Sequence, residues 1–284
     1  MGDGTRLIVI SEPDDPRIAE FVSLRERDLV GRGDRFIAEG TVVLSALMDA
    51  ETAGSSNGDF VIEKLLLLEN RVEGLSSLLA RLDPAVPVHV APARVINAVV
   101  GFAMHRGVLA LGRRLPMPDL AAFLAAMPAN ALLVAALGIA NHDNMGGLFR
   151  NAAVFGADGL IFDPTSCDPL YRKAIRVSVG AVLRVPFCRA ASQADLVSGL
   201  IAAGFDPVGL SPRGAMTLSE YRPGQKVALL AGAEGEGLRA DILARVATLR
   251  ISQAPGLDSL NVATATGIAL HALAHRMGRL SDRT

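Results

Sequence analysis

The chain has 284 residues, half of them hydrophobic and a fifth charged, with a formal net charge of −1. That length suits two domains of ~100–150 residues each, and the hydrophobic content excludes a disordered polymer. The near-neutral balance excludes a global basic field, so a nucleic-acid partner has to be met by a local patch.

The first segment, residues 1–114, alternates short β-rich runs with helical patterns: RLIVI, IAEFVSLRERDLV, RFIAE, TVVLSALMDA, FVIEKLLLL, VHVAPARVINAVV and GVLALG. Such alternation predicts a small α/β domain, with TAGSSNGD near residue 55 as a loop. RRLPMPDL then interrupts the pattern, and residues 115–130 read as a linker and connecting helix. Leu120 to Ala140 carries no charge and meets the ~18-residue length of a membrane span. Pro128 and Asn130 break it, so the reading is a helix, a turn and a buried strand, with no membrane span.

Residues 131–284 repeat the alternation more clearly, from ALLVAAL through MGGLFRNAAVF, GLIF, LVSGLIAAG, DPVGL, VALLAG, ADILARV and LRI to NVATATGIALHALAHRM. Continuously apolar strands predict a mostly parallel sheet covered by helices on both faces. Ligands are expected at the carboxyl ends of such strands.

Three polar and glycine-bearing clusters follow three of these strands. In NHDNMGGLFRNAAVFG, Asn144 stands as an N-cap, with Gly146 and Gly147 in an open first turn able to receive an anion and Arg150 two turns in. An ordinary capped helix with a solvated arginine fits that stretch equally. In LLAGAEGEGL, Gly232, Gly235 and Gly237 permit close backbone approach, with Glu234 between them. A dinucleotide fingerprint would demand Gly-x-Gly-x-x-Gly and a later acidic residue, and both are missing. In GLDSLNVATATGIALHAL, Ser259 reads as a cap and Asn261 as a first-turn residue. Three clusters at neighbouring strand ends point to one site.

These three stretches, in this order, resemble the motifs of the SpoU (TrmH-type) RNA ribose 2′-O-methyltransferases of the SPOUT superfamily, over residues 132–276. KAIRVSVGAVLRVPF also fits, and RGDRFIAEGTVVLSALMDA and HRGVLALG resemble the small RNA-binding domain that precedes such catalytic domains. The resemblance implies an RNA substrate-binding domain over 1–114 and a methyltransferase domain with a deep trefoil knot over 131–284. It implies S-adenosylmethionine as cofactor, with Leu210, Gly232, Ile251 and Leu260 supplying backbone and apolar contacts. Arg150 matches the catalytic arginine, with Asn144, Glu234 and Ser259 as the polar residues around it. The implied partners are tRNA or rRNA and a second copy of the chain, a homodimer in which a site can draw its arginine from the partner subunit; no DNA is expected. The resemblance assigns Arg150 as the base, but arginine as a residue type holds its proton to above about pH 12, so Arg150 acts either as that base or chiefly by binding phosphate and favouring hydroxyl ionisation. One departure stands out: Ile251-Ser252-Gln253 replaces the usual Ile-Pro-Met, removing a proline that stiffens the loop beside the cofactor.

Other constellations are weaker. His271 and His275 lie one helical turn apart without the glutamate of a zinc-protease motif, so no metal is expected. Ser259 with Asp258 lacks a nucleophile elbow. Cys167 and Cys188 are too few for a disulfide framework or zinc site, and no signal peptide precedes them, so a cytoplasmic location is expected. Arg172, Lys173 and Arg176 form either a solvated helix face or part of an RNA-facing patch. Only Lys64, Lys173 and Lys226 are lysines, so the basic set favours planar, bidentate phosphate contacts, although compositional bias explains it as well.

Overall fold

The structure is a computed structural model describing residues 7–22, 34–52, 60–101, 104, 106–254, 256 and 259–280. The predicted loop near residue 55 and most of the helical pattern IAEFVSLRERDLV lie outside them. The chain divides into two compact units, one of Met1–Ser55, Asp59–Pro116 and Leu170–Leu183, the other of Ser56–Gly58, Met117–Pro169 and Arg184–Thr284.

The first unit holds β1 (Leu7–Val9), β2 (Arg35–Glu39), β3 (Phe60–Leu68), β4 (Val88–Ala91) and β5 (Val108–Arg114), ordered β1-β4-β3-β5-β2. β5 runs antiparallel to both of its neighbours and the other pairs are parallel. Helix α1 (Thr41–Thr52) follows β2, and α2 (Ala93–Val100) follows β4 and ends on Gly101 at φ 79°, a left-handed cap that a side chain would strain. Val95, Ile96 and Val99 of α2 share one face and bury it against Ile37, Leu66, Leu109 and Leu111 of the sheet.

This unit also takes Leu170–Leu183, from within the 131–284 stretch expected to form the methyltransferase domain. Its short helix, Arg172–Val177, buries Ala174 and Ile175 and packs on β2. A Cβ added at Gly180 would lie 3.0 Å from that of Ala46 on α1, so a glycine is needed for the approach. Local alternation of helix and strand carries no information about which sheet a helix covers.

The second unit contains α3 (Leu120–Ala125), β6 (Ala131–Ala136), α4 (His142–Val154), β7 (Gly159–Phe162), β8 (Phe187–Arg189), α5 (Gln193–Ala202), β9 (Asp206–Leu210), β10 (Met216–Thr217), β11 (Lys226–Ala231), β12 (Ala247–Arg250) and α6 (Val262–Arg276). The strands form one sheet ordered β10-β12-β9-β11-β6-β7-β8, with every pairing parallel. β6 lies inside the sheet next to the central β11, Val134 pairing with Leu229 on one side and Leu160 on the other. Ala131, Leu133 and Ala135 pack toward Phe123 and Leu124 of α3 and Leu196, Val197 and Leu200 of α5. α4 and α6 pack with β6 and β11, so the predicted two-faced burial is what forms. The uncharged stretch is indeed a helix, a turn and a strand, and no described helix is long and apolar enough to cross a membrane.

Candidate functional site

A cavity of about 290 Å³ opens at the carboxyl ends of β9, β11 and β12, which are neighbours in the second unit's sheet. Leu210 ends β9, Gly232 follows β11 and Ile251 follows β12, and all three line it. Leu260, Ser259 and Glu234 line it as well. Six of the eight residues singled out from sequence therefore share one wall.

Gly232 is required by a close approach: an added Cβ would lie 2.3 Å from the Gly237 carbonyl carbon and 2.4 Å from the Leu238 nitrogen. The turn that makes this crossing closes with Gly237 N–H donating to the Ala233 carbonyl at 2.9 Å. Gly235 and Gly237 supply its positive φ, 82° and 71°. A second crossing lies at Gly214, whose added Cβ would fall 2.4 Å from the Leu249 carbonyl carbon. Side chains are thus excluded from two points where backbone meets backbone beside the cavity.

The two helix starts differ from the expectation. Asn141, not Asn144, is the N-cap of α4, its Oδ1 accepting from the N–H of Asp143 at 2.8 Å and of Asn144 at 3.4 Å. The first turn is therefore already capped, and Gly146 and Gly147 lie beyond it. Gly147 serves packing instead: an added Cβ would lie 2.6 Å from the Cβ of Ala263 on α6. Likewise Asn261, not Ser259, caps α6, its Oδ1 accepting from Ala263 N–H at 3.0 Å and Thr264 N–H at 3.2 Å.

With Oδ1 committed to the cap, the Asn261 amide points Nδ2 at two of the predicted residues. It donates to Asn144 Oδ1 at 2.8 Å and to Glu234 Oε1 at 3.1 Å. Asn144 is buried, and this bond ties it to the cavity wall that it does not itself line. Asn261 is the site residue whose role sequence reasoning missed. An asparagine directly before an apolar-periodic run is itself a cap signal and would have found it.

Arg150 is the exception. It is exposed on α4 and does not line the cavity. Its neighbour Asn151 donates Nδ2 to the Ala263 carbonyl at 2.6 Å, so α4 is locked to α6 one residue away. Among the described residues no group of acidic, histidine or cysteine side chains could hold a metal ion; His271 and His275 stack with ring centroids 6.4 Å apart. Asp258 lies outside the described residues. Cys167 and Cys188 are free thiols, and burial pushes both up to about 12.

A fully parallel, doubly covered sheet with its cavity at three neighbouring strand ends matches the fold of SpoU/SPOUT methyltransferases. The SpoU rRNA Methylase family model matches residues 131–271. An uncharacterized tRNA/rRNA methyltransferase of Mycobacterium bovis is 37% identical over 279 residues, covering 95% of this chain and 92% of that one. An rRNA methyltransferase from Sinorhizobium meliloti superposes with a TM-score of 0.79 at 26% identity, covering 97% and 99% of the two chains. Its AdoMet-bound form superposes at 0.76 with 25% identity, over the same shares of the two chains. The chain belongs to the SpoU rRNA methylase family and is an RNA methyltransferase of that family.

Proposed function

We propose that this protein transfers a methyl group from S-adenosylmethionine to a ribose 2′-hydroxyl of tRNA or rRNA. The observation that carries the reading is the convergence of Leu210, Gly232, Ile251 and Leu260, from separate stretches of chain, on one cavity beside the Asn144–Asn261–Glu234 chain of hydrogen bonds.

The cavity fits such a cofactor. Its wall combines apolar side chains with the glycine backbone at Gly232, Gly235 and Gly237, offering van der Waals surface and polar backbone together. When bound, S-adenosylmethionine supplies an electrophilic methyl group on a sulfonium, and no metal is needed. Leu210, Ile251 and Leu260 hold it and exclude water, while Glu234 and Ser259 are the polar groups of the wall toward the sugar. Arg150 binds the phosphate beside the target ribose, and its fixed positive charge stabilises the oxyanion as the hydroxyl loses its proton to solvent water. Gln253, in place of the usual methionine, lines the same cavity.

Arg150 reaches a site through dimerisation in this reading. Val154, one turn on from Arg150, is 63% exposed, and Ile268 on the packed helix α6 is 42% exposed. Apolar side chains left in solvent on two adjoining helices support a face covered by a second copy, which places the arginine at the partner's cavity. The backbone crossings at Gly232 and Gly214 support a trefoil knot.

The first unit is read as the RNA-binding domain. Arg71, Arg94 and Arg106 lie on segments after β3, after β4 and before β5, at one end of its sheet. Arg71 Nε donates to the Arg106 carbonyl, and Arg94 donates to the Ser11 carbonyl with Glu12 3.8 Å away. At the opposite end Arg35 and Arg113 share Glu63, and Arg114 pairs with Asp34. Arg71, held by a neutral carbonyl, keeps its charge for phosphate, Arg94 shares its charge with an exposed carboxylate, and such binding weakens as salt rises. A cytoplasmic location accords with this substrate.

The test is incubation of the purified protein with methyl-labelled S-adenosylmethionine and RNA from cells that lack it. Label entering RNA supports the reading. RNA binding without transfer would instead favour a binding module with a degenerate cavity.

A further inference from the structure

Asp163, at the end of β7, is completely buried and does not line the cavity. Its carboxylate gathers donors from three segments of the second unit. Oδ1 accepts from Gly138 N–H at 2.9 Å, from Ser166 N–H at 3.0 Å and from Ser166 Oγ at 2.5 Å. Oδ2 accepts from Gln193 Nε2 at 2.9 Å, at the start of α5, and from the hydroxyl of Thr165. Three N–H donors and two hydroxyls face the group, an arrangement that favours the ionised carboxylate. Burial alone would raise its pKa, and these hydrogen bonds outweigh burial and hold it below the ordinary carboxylate value.

The segment held this way is the turn that connects β6 to α4. Gly138 has φ 74°, and Ile139 N–H donates to Ser166 Oγ at 2.9 Å while its carbonyl accepts from Cys167 N–H at 2.9 Å. Three residues after Gly138 stands Asn141, the cap from which α4 carries Asn144 and Arg150. On its other side the same turn touches the cavity: a Cβ at Gly138 would lie 3.3 Å from that of Ala233 in the cavity wall.

We infer that Asp163 is a positioning residue for methyl transfer, fixing the Gly138–Ile139 backbone and through it the direction in which α4 presents Arg150. This inference rests on the reading of Arg150 as the phosphate-binding group. A buried anion behind the turn resists displacement of α4 without touching either the cofactor cavity or RNA. The carboxylate acts through Gly138, Ile139 and Ser166, and takes no part in proton transfer.

The test uses the full-length Asp163→Asn protein, whose amide turns an N–H toward donors that the carboxylate accepted. The expected result is S-adenosylmethionine affinity within about twofold of the parent, and kcat per folded enzyme lower by about tenfold or more. Hydrogen exchange at Gly138 and Ile139 is expected to quicken by about tenfold or more, while the Val227–Ala231 strand keeps its protection. Should Asp163→Asn fail to fold, Ser166→Ala removes only the hydroxyl that joins Asp163 to Ile139 N–H, leaves the carboxylate in place, and is expected to lower kcat severalfold with cofactor affinity kept. An unchanged kcat, or affinity and rate falling together, would overturn the inference. Absence of methyl transfer by the unsubstituted protein would overturn the underlying reading, whereas the exchange rates at Gly138 and Ile139 still decide whether Asp163 holds the turn.

Discussion

The amide of Asn261 donates to the buried side-chain oxygen of Asn144 at 2.8 Å across a sequence separation of 117 residues. One asparagine thereby caps α6, orients α4 and holds Glu234 on the cavity wall. Removing it in Asn261→Ala loses a cap, about 1 kcal/mol. It also strands the buried Asn144 oxygen, about 1–3 kcal/mol more. Denaturant unfolding of the variant is expected to show a loss of roughly 2–4 kcal/mol. Asn261→Asp keeps the capping oxygen but turns an anion toward Asn144 Oδ1 and Glu234, so it does not restore stability. An Asp variant as stable as the parent would contradict this account.

Gly147 separates two opposing effects of a methyl group. Alanine in a helix interior gains about 1 kcal/mol over glycine. Here, however, the new Cβ falls 2.6 Å from the Cβ of Ala263, a group with no rotamer to move away. Overpacking of that kind costs about 1–3 kcal/mol, so Gly147→Ala is expected to lower thermal stability despite its propensity. Adding Ala263→Gly is expected to recover most of the loss. Additive effects of the two changes would show that α4 and α6 do not meet there.

How much of this was legible in the sequence differs by residue. Leu132, Val134, Leu229 and Leu230 lie in unbroken apolar runs, which only a sheet covered on both faces accommodates, so the parallel architecture could be read directly. The cavity residues Gly232 and Glu234 could be placed because a glycine-rich turn after a buried strand has few other uses. The caps could not. Asn141 and Asn144 are equally good cap residues, and the choice between them is made by the Gly138 turn and the buried Asp163 behind it, contacts that form only in the folded unit. The grouping of Leu170–Leu183 with the first unit is not legible for the same reason, since its packing on β2 joins segments more than a hundred residues apart.

The two glycines of the β11 turn are expected to respond differently to alanine. At Gly232 the added atom meets backbone at 2.3 Å and has no way out. At Gly235 the space is open and only the φ of 82° opposes it, a strain of about 1–2 kcal/mol. Calorimetry with S-adenosylmethionine is expected to show binding abolished in Gly232→Ala and retained in Gly235→Ala. Equal affinities would remove the crossing at Gly232 from the cofactor site.

The thiols of Cys167 and Cys188 titrate near 12, so both stay protonated across the physiological range and become nucleophilic only as pH rises toward that value. Alkylation of the native protein at pH 7.5 is expected to be slow at both and to become fast on unfolding. Rapid native labelling of the half-buried Cys167 would contradict its raised pKa.

The central claim is that the methyl group goes to the ribose 2′-oxygen. A 2′-O-methyl group removes the hydroxyl that alkali needs to cleave the neighbouring phosphodiester, whereas methylation of a base leaves that linkage open. RNA methylated by this protein with labelled S-adenosylmethionine is to be digested in alkali and its fragments separated. The account predicts that the label resides in alkali-resistant dinucleotides and that Arg150→Ala loses it while still binding cofactor. Label found only in mononucleotides would contradict it.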